Sequence, residues 1–294
     1  MFRNISELVE QARGSSIARV MLEYEAESTG KMQEEIFAHM AAQYQVMKRS
    51  AREGLHGLRA RSGLCGGDAL LLDRYIQKGS KLTAGAFPRA VNYAIAVNEA
   101  NAHMGIICAS PTAGACGVLP GVLLAAQEHL GKTDEEMTMA LFCAGAIGFV
   151  IANNAFISGA QGGCQAETGS AAAMAAAAVT ELAGGTPEQA ANAAAIALKN
   201  MLGLPCDPLA GLVEVPCIKR NAGGAANAMA AAEMALAGIV SFVPCDEVIE
   251  TMYQIGLNMS PALRETAQGG LADTPTGRKW KSLLWENHTE ASQA

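Results

Sequence analysis

The apolar positions of this sequence are filled mainly by small side chains. Half of the 294 residues are hydrophobic, yet aromatic residues make up only 5% and charged residues 17%, and 31 residues are glycine. Small side chains let helix backbones approach one another closely. Period-two runs of Val, Ile and Thr, which are typical of strands, are nearly absent. The sequence therefore predicts a compact all-α fold with little or no sheet and with Gly- and Pro-rich loops.

The length allows a full hydrophobic core in one large domain or two small ones. Apolar residues recur every three or four positions from Met32 to Leu55, which predicts a helix with one apolar stripe. We expect the amphipathic helices of residues 1–60 to pack on a catalytic domain of residues 61–294, within a single domain overall. Capping patterns predict further helix starts at Asp68, Thr133, Thr186 and Ser260.

Charge and hydropathy exclude several classes of function. The net charge is -7 and no cluster of Lys and Arg is present, so we expect no nucleic-acid partner. The charged N-terminal segment does not resemble a secretory signal, which favours the cytoplasm and free thiols. The most apolar run, Met139–Ala152, is shorter than the ~20 residues that cross a bilayer. We expect it to be a buried core helix, with no membrane partner.

Four loop segments carry most of the unusual composition. Long loops of this kind inside a compact domain tend to be functional. They are Ser110–Gly117, Asn153–Gly169, Gly203–Asn221 and Glu265–Leu271.

The eight cysteines contain no C-x-x-C pair. This argues against zinc ribbons, thioredoxin-type chemistry and ferredoxin motifs. Cys143 and Cys245 fall in predicted helices and are interpreted as small buried hydrophobes. Cys65, Cys108 and Cys116 are also interpreted as structural.

Cys164, Cys206 and Cys217 stand instead in loops stiffened by glycine or proline. Such loops leave backbone N–H groups free for sulfur, and a nearby helix N-terminus lowers the pKa of a thiol, which suits metal ligation. The spacing alone leaves a metal centre and three buried thiols both open. If three ligands hold a metal, an open coordination position favours Lewis-acid catalysis.

At these residues the sequence closely resembles the alpha subunit of the bacterial iron-sulfur-dependent L-serine dehydratases. The matching stretches are SPTAGACGVLPG, SGAQGGCQAETGS, LGLPCDPLAGLVEVPCIKRNA and RETAQGGL. The resemblance runs from about Asn4 to Gly277, nearly the whole chain.

The resemblance implies a 4Fe-4S cluster ligated by Cys164, Cys206 and Cys217, with one iron free to take the hydroxyl and carboxylate oxygens of L-serine. It also implies conversion of L-serine to pyruvate and ammonia, in cytoplasmic serine catabolism and gluconeogenesis. A beta subunit with an ACT-type regulatory domain is the implied partner, giving a heterodimer within a higher oligomer.

Single-chain relatives differ at several positions. They have Asn where Ala113 stands, His where Asn200 stands and Arg where Gln268 stands, and they end in a cysteine that this C-terminus lacks. In the family the residue at Phe156 is more often Ser. These differences favour the two-chain subtype.

Candidate substrate-binding residues lie in the same loops. Small residues of SPTAGACG precede a predicted helix start near Val118, whose backbone N–H groups could hold a carboxylate. A helix-packing turn would have the same composition, and loop Asn and Ser often only satisfy the local backbone. The candidates are Ser110, Thr112, Gly114, Asn154, Ser158, Glu167, Arg220 and Asn221.

No catalytic residue for proton transfer is identified, because the five histidines lie outside the four loops. We expect the partner chain to supply that group. The same chemistry on L-threonine or L-cysteine, and a non-catalytic iron-sulfur redox or sensor protein, remain alternatives. A pyridoxal-dependent dehydratase is disfavoured, since it requires a Schiff-base lysine on an α/β scaffold.

Overall fold

Helices make up all the regular structure that the chain forms between residues 2 and 286. The computed structural model describes these residues, and within them it contains no strand, only isolated bridges between Arg59 and Gly66 and between Cys206 and Arg264. The prediction of an all-α fold with little or no sheet is confirmed.

The α-helices follow one another with short connections except around the predicted loops. Several 3-10 and π-helical turns lie between them, including a π-helix at Gln165–Gly169. The α-helices are α1 (Ile5–Gln11), α2 (Ile17–Thr29), α3 (Gln33–Gly54), α4 (Asp68–Gln77), α5 (Ala86–Ala102), α6 (Val118–Leu130), α7 (Asp134–Asn154), α8 (Gly159–Gly162), α9 (Ser170–Leu182), α10 (Pro187–Lys199), α11 (Cys217–Leu236), α12 (Cys245–Asn258) and α13 (Pro275–Lys281).

The apolar stripe predicted between Met32 and Leu55 forms the buried face of α3. Tyr44 and Met47 on this face are buried, and their helix packs against α5 and α7. A Cβ atom on Gly54 would overlap the backbone carbonyl of Ala96, so glycine allows α3 and α5 to meet here. The N-terminal helices thus pack on the rest of the chain. The division at residue 60 remains a prediction.

The alanine-rich helix α9 lies at the centre of the bundle. Each of its residues from Ser170 to Thr180 is buried, and it packs against α6, α7, α10 and α11. Such close packing on several sides requires side chains no larger than those of alanine over most of the helix. Helix α7 is the one described helix that is long and apolar enough to cross a membrane, and 61% of its most apolar window is buried. It lies where the sequence predicts a core helix.

The central helices give the bundle two different ends. At one end α6, α9 and α11 begin and α10 and α12 terminate; its loops comprise residues 110–117, 155–169, 203–217 and 263–271, and we call it the site end. At the other, the far end, α6, α9 and α11 terminate and α7 and α10 begin. The predicted capping boxes at Thr133 and Thr186 both form at the far end.

Ser260 also accepts a cap hydrogen bond, but it begins only a 3-10 turn, Pro261–Leu263. The predicted start at Asp68 is confirmed, since Gly67 in a left-handed conformation precedes α4.

Candidate functional site

Cys164, Cys206 and Cys217 come together at the site end. Cys164 directly precedes the π-helix, Cys206 lies in the loop after α10, and Cys217 is the first residue of α11. Cys164 and Cys206 are each only 5% exposed, and all eight cysteines are free thiols. The charge of a thiolate at Cys164 or Cys217 raises the pKa of Cys206, which places the three sulfur atoms in one electrostatic environment.

Burial is the main influence on these thiols. It raises the pKa of all three, that of Cys217 to about 12. The guanidinium of Arg220 acts in the opposite direction on Cys164 and Cys217, because a nearby positive charge favours the thiolate. The protein without a metal therefore holds these cysteines as neutral thiols, and ligation of a metal would release their protons.

Three cysteine thiols are a ligand set of the kind that iron-sulfur clusters use. Among residues 2–286 no group of three His, Cys, Asp or Glu side chains is close enough to bind one metal ion. In a cluster each cysteine binds a different iron, so the sulfur atoms stand farther apart than around one ion, and thiolates are the usual ligands. A Cβ atom on Gly159 would lie 2.7 Å from both Cys206 Sγ and Glu167 Oε2, so a side chain there would intrude on the thiol.

The backbone of Cys206 is held by the RETAQGGL segment. Its N–H donates to the carbonyl of Leu263 and its carbonyl accepts from the N–H of Glu265, both at 2.8 Å. Glu265 has a φ of 62°, a left-handed conformation that is unusual for a residue other than glycine. The fourth of the predicted loops thus contacts the second cysteine directly.

Asp207 joins this loop to α11. Its Oδ1 lies 2.8 Å from Arg220, and its Oδ2 accepts from the N–H of Leu271 at 2.8 Å. The Asp207 and Arg220 side chains are 4% and 17% exposed, so the ion pair is largely shielded from water. Arg220 also donates to the carbonyl of Pro205 at 2.7 Å. These contacts tie the Cys206 loop to the helix that starts at Cys217.

Glu167 lies between the SPTAGACG loop and the cysteines. Thr112 Oγ1 donates to its Oε1 at 2.8 Å, and Cys206 Sγ lies 3.8 Å from its Oε2. A Cβ on Gly114 would lie 3.2 Å from Oε1, so the backbone of SPTAGACG passes close to this carboxylate. Burial raises the pKa of Glu167. The structure therefore brings Thr112, Gly114 and Glu167 together with Cys206.

Asn221 connects SPTAGACG to the start of α11. Its Oδ1 accepts from the N–H of Gly117 at 2.9 Å, and its Nδ2 donates to the carbonyls of Gly114 and Cys217 at 2.7 and 2.9 Å. The side chain is fully buried and its polar atoms have partners in the chain. Asn221 thus fixes the third cysteine relative to the first loop.

The remaining predicted residues differ in their surroundings. Ser110 is 4% exposed, and its Oγ has no hydrogen-bond partner in the chain, so this hydroxyl is available to a bound molecule. Ser158 Oγ bonds to Gln161 within its own loop. Asn154 Nδ2 donates to the carbonyls of Val150 and Arg3, so its amide secures the N-terminal segment.

Two polar residues of this site are missing from the sequence interpretation. Asp207 and Gln165 are both buried and make hydrogen bonds to backbone groups 64 and 38 residues away. No local pattern marks such residues, because their partners are known only once the chain is folded. In the sequence, the one feature that could have marked them as site residues is their position directly after Cys206 and Cys164.

Comparison with known proteins settles the family. The profile of the serine dehydratase alpha chain matches residues 12–272. This chain belongs to the serine dehydratase alpha chain family. It is 59% identical to a probable L-serine dehydratase alpha chain of Bacillus subtilis, over 97% of this chain and 96% of the relative. The resemblance inferred from the four motifs is confirmed.

Other members of the serine dehydratase alpha chain family differ in length. The L-serine dehydratase alpha chain of Peptoniphilus asaccharolyticus is 43% identical, over 91% of this chain and 92% of the relative. An L-serine dehydratase of Streptomyces coelicolor is 41% identical over 92% of this chain, but the match covers only 60% of that relative. The family thus includes chains of this length and longer ones that contain additional sequence.

Proposed function

We propose that this chain is an L-serine ammonia-lyase, which converts L-serine to pyruvate and ammonia, and that Cys164, Cys206 and Cys217 hold a 4Fe-4S cluster. The observation that carries the proposal is the convergence of three free thiols, two of them buried and that of Cys217 partly buried, beside Thr112 and Glu167. The family membership and the names of the relatives support the substrate.

The reaction requires loss of the α proton and of the hydroxyl group of serine. The cluster, when bound, would supply an iron that acts as a Lewis acid toward the leaving hydroxyl. The aminoacrylate that remains tautomerises to an imine, and water then releases ammonia and pyruvate. The task of the protein residues is to hold the amino acid in one orientation and to exclude competing water.

The start of α6 is suited to the substrate carboxylate. This helix has no side-chain cap. The N–H of Gly117 is taken by Asn221 and Pro120 has no N–H, which leaves the N–H groups of Val118 and Leu119 and the positive dipole end for an anion. Ser110 adds an unpaired, buried hydroxyl in the same loop. We assign the carboxylate to this loop, and the ammonium group to the neighbourhood of the Glu167 carboxylate, which already accepts from Thr112.

Arg220 and Asn221, near the start of α11, position other parts of the chain and are not assigned a contact with the substrate. Both side-chain groups of Asn221 and the guanidinium of Arg220 are engaged with other residues of the chain. We therefore assign to them the placement of Cys217 and of SPTAGACG. Asn154 and Ser158 are candidates for substrate contact from the sequence only, since their side chains form hydrogen bonds with N-terminal or local residues.

A second chain completes the proposed enzyme. Relatives of this length are called alpha chains, whereas the Streptomyces coelicolor relative has more than a third of its length outside the match. We propose a beta chain with an ACT-type regulatory domain, which contributes the proton-transfer group, in a cytoplasmic heterodimer that assembles further. Turnover by the alpha chain purified alone would contradict the contribution of that group.

The test is anaerobic purification with and without the candidate beta chain. We expect iron and sulfide in equal amounts, pyruvate formation from L-serine, and a paramagnetic resonance signal of the reduced cluster that changes when serine is added. L-Threonine and L-cysteine are assayed in parallel, and faster turnover of either would reassign the substrate. A cluster signal that ignores serine, without pyruvate formation in the presence of the partner, would indicate a redox or sensor protein instead.

A further inference from the structure

Gln165 is a fully buried polar residue directly after Cys164. Its Oε1 accepts from the N–H of Gly203 at 2.8 Å, and its Nε2 donates to the carbonyl of Met252 at 3.0 Å. Its backbone N–H donates to the carbonyl of Leu204 at 3.0 Å. One residue thereby connects the π-helix, the loop after α10 and helix α12.

The two partners of the side chain leave no freedom in the orientation of its amide. A backbone N–H can only be met by Oε1, and a backbone carbonyl can only be met by Nε2. An apolar side chain of the same length would remove the acceptor of the Gly203 N–H and the donor to the carbonyl of the buried residue Met252. This position therefore requires both a hydrogen-bond acceptor and a donor, in addition to a side chain of this length.

These contacts bear on the cysteines because of where they fall in the chain. Gln165 is adjacent to Cys164, and its partners Gly203 and Leu204 stand three and two residues before Cys206. The same two segments also meet at Gly163, where a Cβ atom would lie 2.8 Å from the carbonyl of Leu204. The contact between these segments is thus close and carries two hydrogen bonds to Gln165.

We infer that Gln165 is a positioning residue that fixes the separation of Cys164 and Cys206 before any cluster is bound. This inference rests on the proposed function, since the separation matters only if both thiols ligate one cluster. The side chain makes its hydrogen bonds to the backbone of Gly203 and Met252, so it acts through the backbone of the loop before Cys206. Groups that orient metal ligands commonly change metal affinity strongly when they are replaced.

The test compares Gln165→Met with Gln127→Met. Gln127 is a matched control at the far end, where its side chain accepts from Tyr44 and donates to Asp134 and to the carbonyl of Lys132. Both variants lose a partly or fully buried amide, so both reduce stability. Only the first is expected to disturb the cysteines.

Three quantities are measured on iron-free protein and during anaerobic reconstitution. We expect the exchange rate of the Gly203 amide hydrogen to rise about tenfold in Gln165→Met, because its acceptor is removed. We expect uptake of iron and sulfide to weaken by about tenfold, with a changed resonance signal of the reduced cluster. In Gln127→Met the unfolding midpoint falls, while the Gly203 amide and the cluster signal match those of the wild type.

The outcomes separate this inference from the function on which it rests. Wild-type protein that takes up no iron overturns the proposed cofactor and, with it, the role of Gln165. A loaded wild type with an equally loaded Gln165→Met overturns the role of Gln165 alone. If Gln165→Met does not fold, Gln165→Asn replaces it, because its amide is one methylene too short to reach both partners; normal loading of that variant would equally overturn the inference.

Discussion

Helices α7 and α10, which begin at the far end, are capped by side chains of their own first residues, whereas α6 and α11, which begin at the site end, are not. Thr133 and Thr186 form complete capping boxes at the starts of α7 and α10. Helices α6 and α11 begin after Gly117 and Pro216, and neither has a side-chain cap. Capping stabilises a helix by satisfying its first N–H groups. At the site end the N–H groups of Val118 and Leu119 have no capping side chain and are available to an anionic ligand.

The ion pairs differ in the same way. Helix α5 begins beside the last turn of α6 at the far end, and Arg89 in its first turn pairs with Asp73 of α4 at 2.8 Å, with side chains 32% and 15% exposed. At the site end the pair of Asp207 and Arg220 has the same length but is far more deeply buried. A partly hydrated pair adds little stability, but breaking a buried pair leaves a charge without compensation. The comparison indicates that the far end is built for stability and the site end for fixed placement of reactive groups.

The largest expected effect distinguishes the clustered cysteines from the others. Cys164→Ala should abolish iron binding and pyruvate formation while leaving the helical circular dichroism largely intact, because only a ligand is lost. Cys245→Ala is the control, since Cys245 is a buried thiol at the start of α12 and outside the proposed cluster. Iron content and turnover are measured on both. Bound iron and activity in Cys164→Ala would refute the proposed cluster.

The two ion pairs offer a matched comparison of stability. Asp207→Asn should lower the free energy of unfolding by about 3 kcal/mol, because Arg220 then stays buried without a counter-charge. Asp73→Asn should cost less than about 1 kcal/mol, since its pair is more hydrated. Denaturant unfolding of the iron-free variants measures both. Equal losses of unfolding free energy in the two variants would show that the deeper burial of the Asp207 pair does not increase its contribution to stability.

Two threonines test whether the ends divide stability from activity. Thr186→Val removes a helix cap and should lower the free energy of unfolding by about 1 kcal/mol, without change in iron content. Thr112→Val removes the donor to Glu167 and should reduce kcat/KM by about tenfold. Unfolding and turnover are assayed for each. A normal kcat/KM in Thr112→Val would show that the hydrogen bond from Thr112 to Glu167 does not contribute to turnover.

The smallest effect concerns acid stability at the far end. Hydrogen bonds from Lys48, Gln127 and Gln45 hold the pKa of Asp134 at about 2, below its ordinary value of 3.8. Because the folded-state pKa is lowered, this contribution to stability is present above pH 3.8 and is lost as the pH falls toward about 2. Unfolding of iron-free protein across that interval should be less pH-dependent in Asp134→Asn. An unchanged slope would contradict the assignment.

Most of the fold follows from local sequence patterns. The stripe of α3, the capping boxes of α7 and α10 and the core helix α7 are confirmed, because each depends on residues a few positions apart. The predicted loops prove partly helical. The third continues into α11 from Cys217, and the second contains a π-helix at Gln165–Gly169, an irregular turn that periodicity does not reveal.

The site was predictable only in part. The motifs identify the family and predict three cysteine ligands, but the hydrogen bonds of Asn154 and Arg220 with other parts of the chain depend on contacts 151 and 15 residues away. His288 and the end of the predicted catalytic domain lie outside the described residues. The assignment of individual substrate contacts stays a prediction.

The sequence by itself determined the helical class and several helix starts, such as those at Asp68, Thr133 and Thr186, since these are properties of composition and short-range spacing. Only the tertiary structure decided which buried polar groups join the loops, as Gln165 joins the segments beside Cys164 and Cys206. The physical reason is that a buried hydrogen bond is specified by where two distant segments meet. That meeting is set by close packing of the alanine-rich helices over the whole bundle.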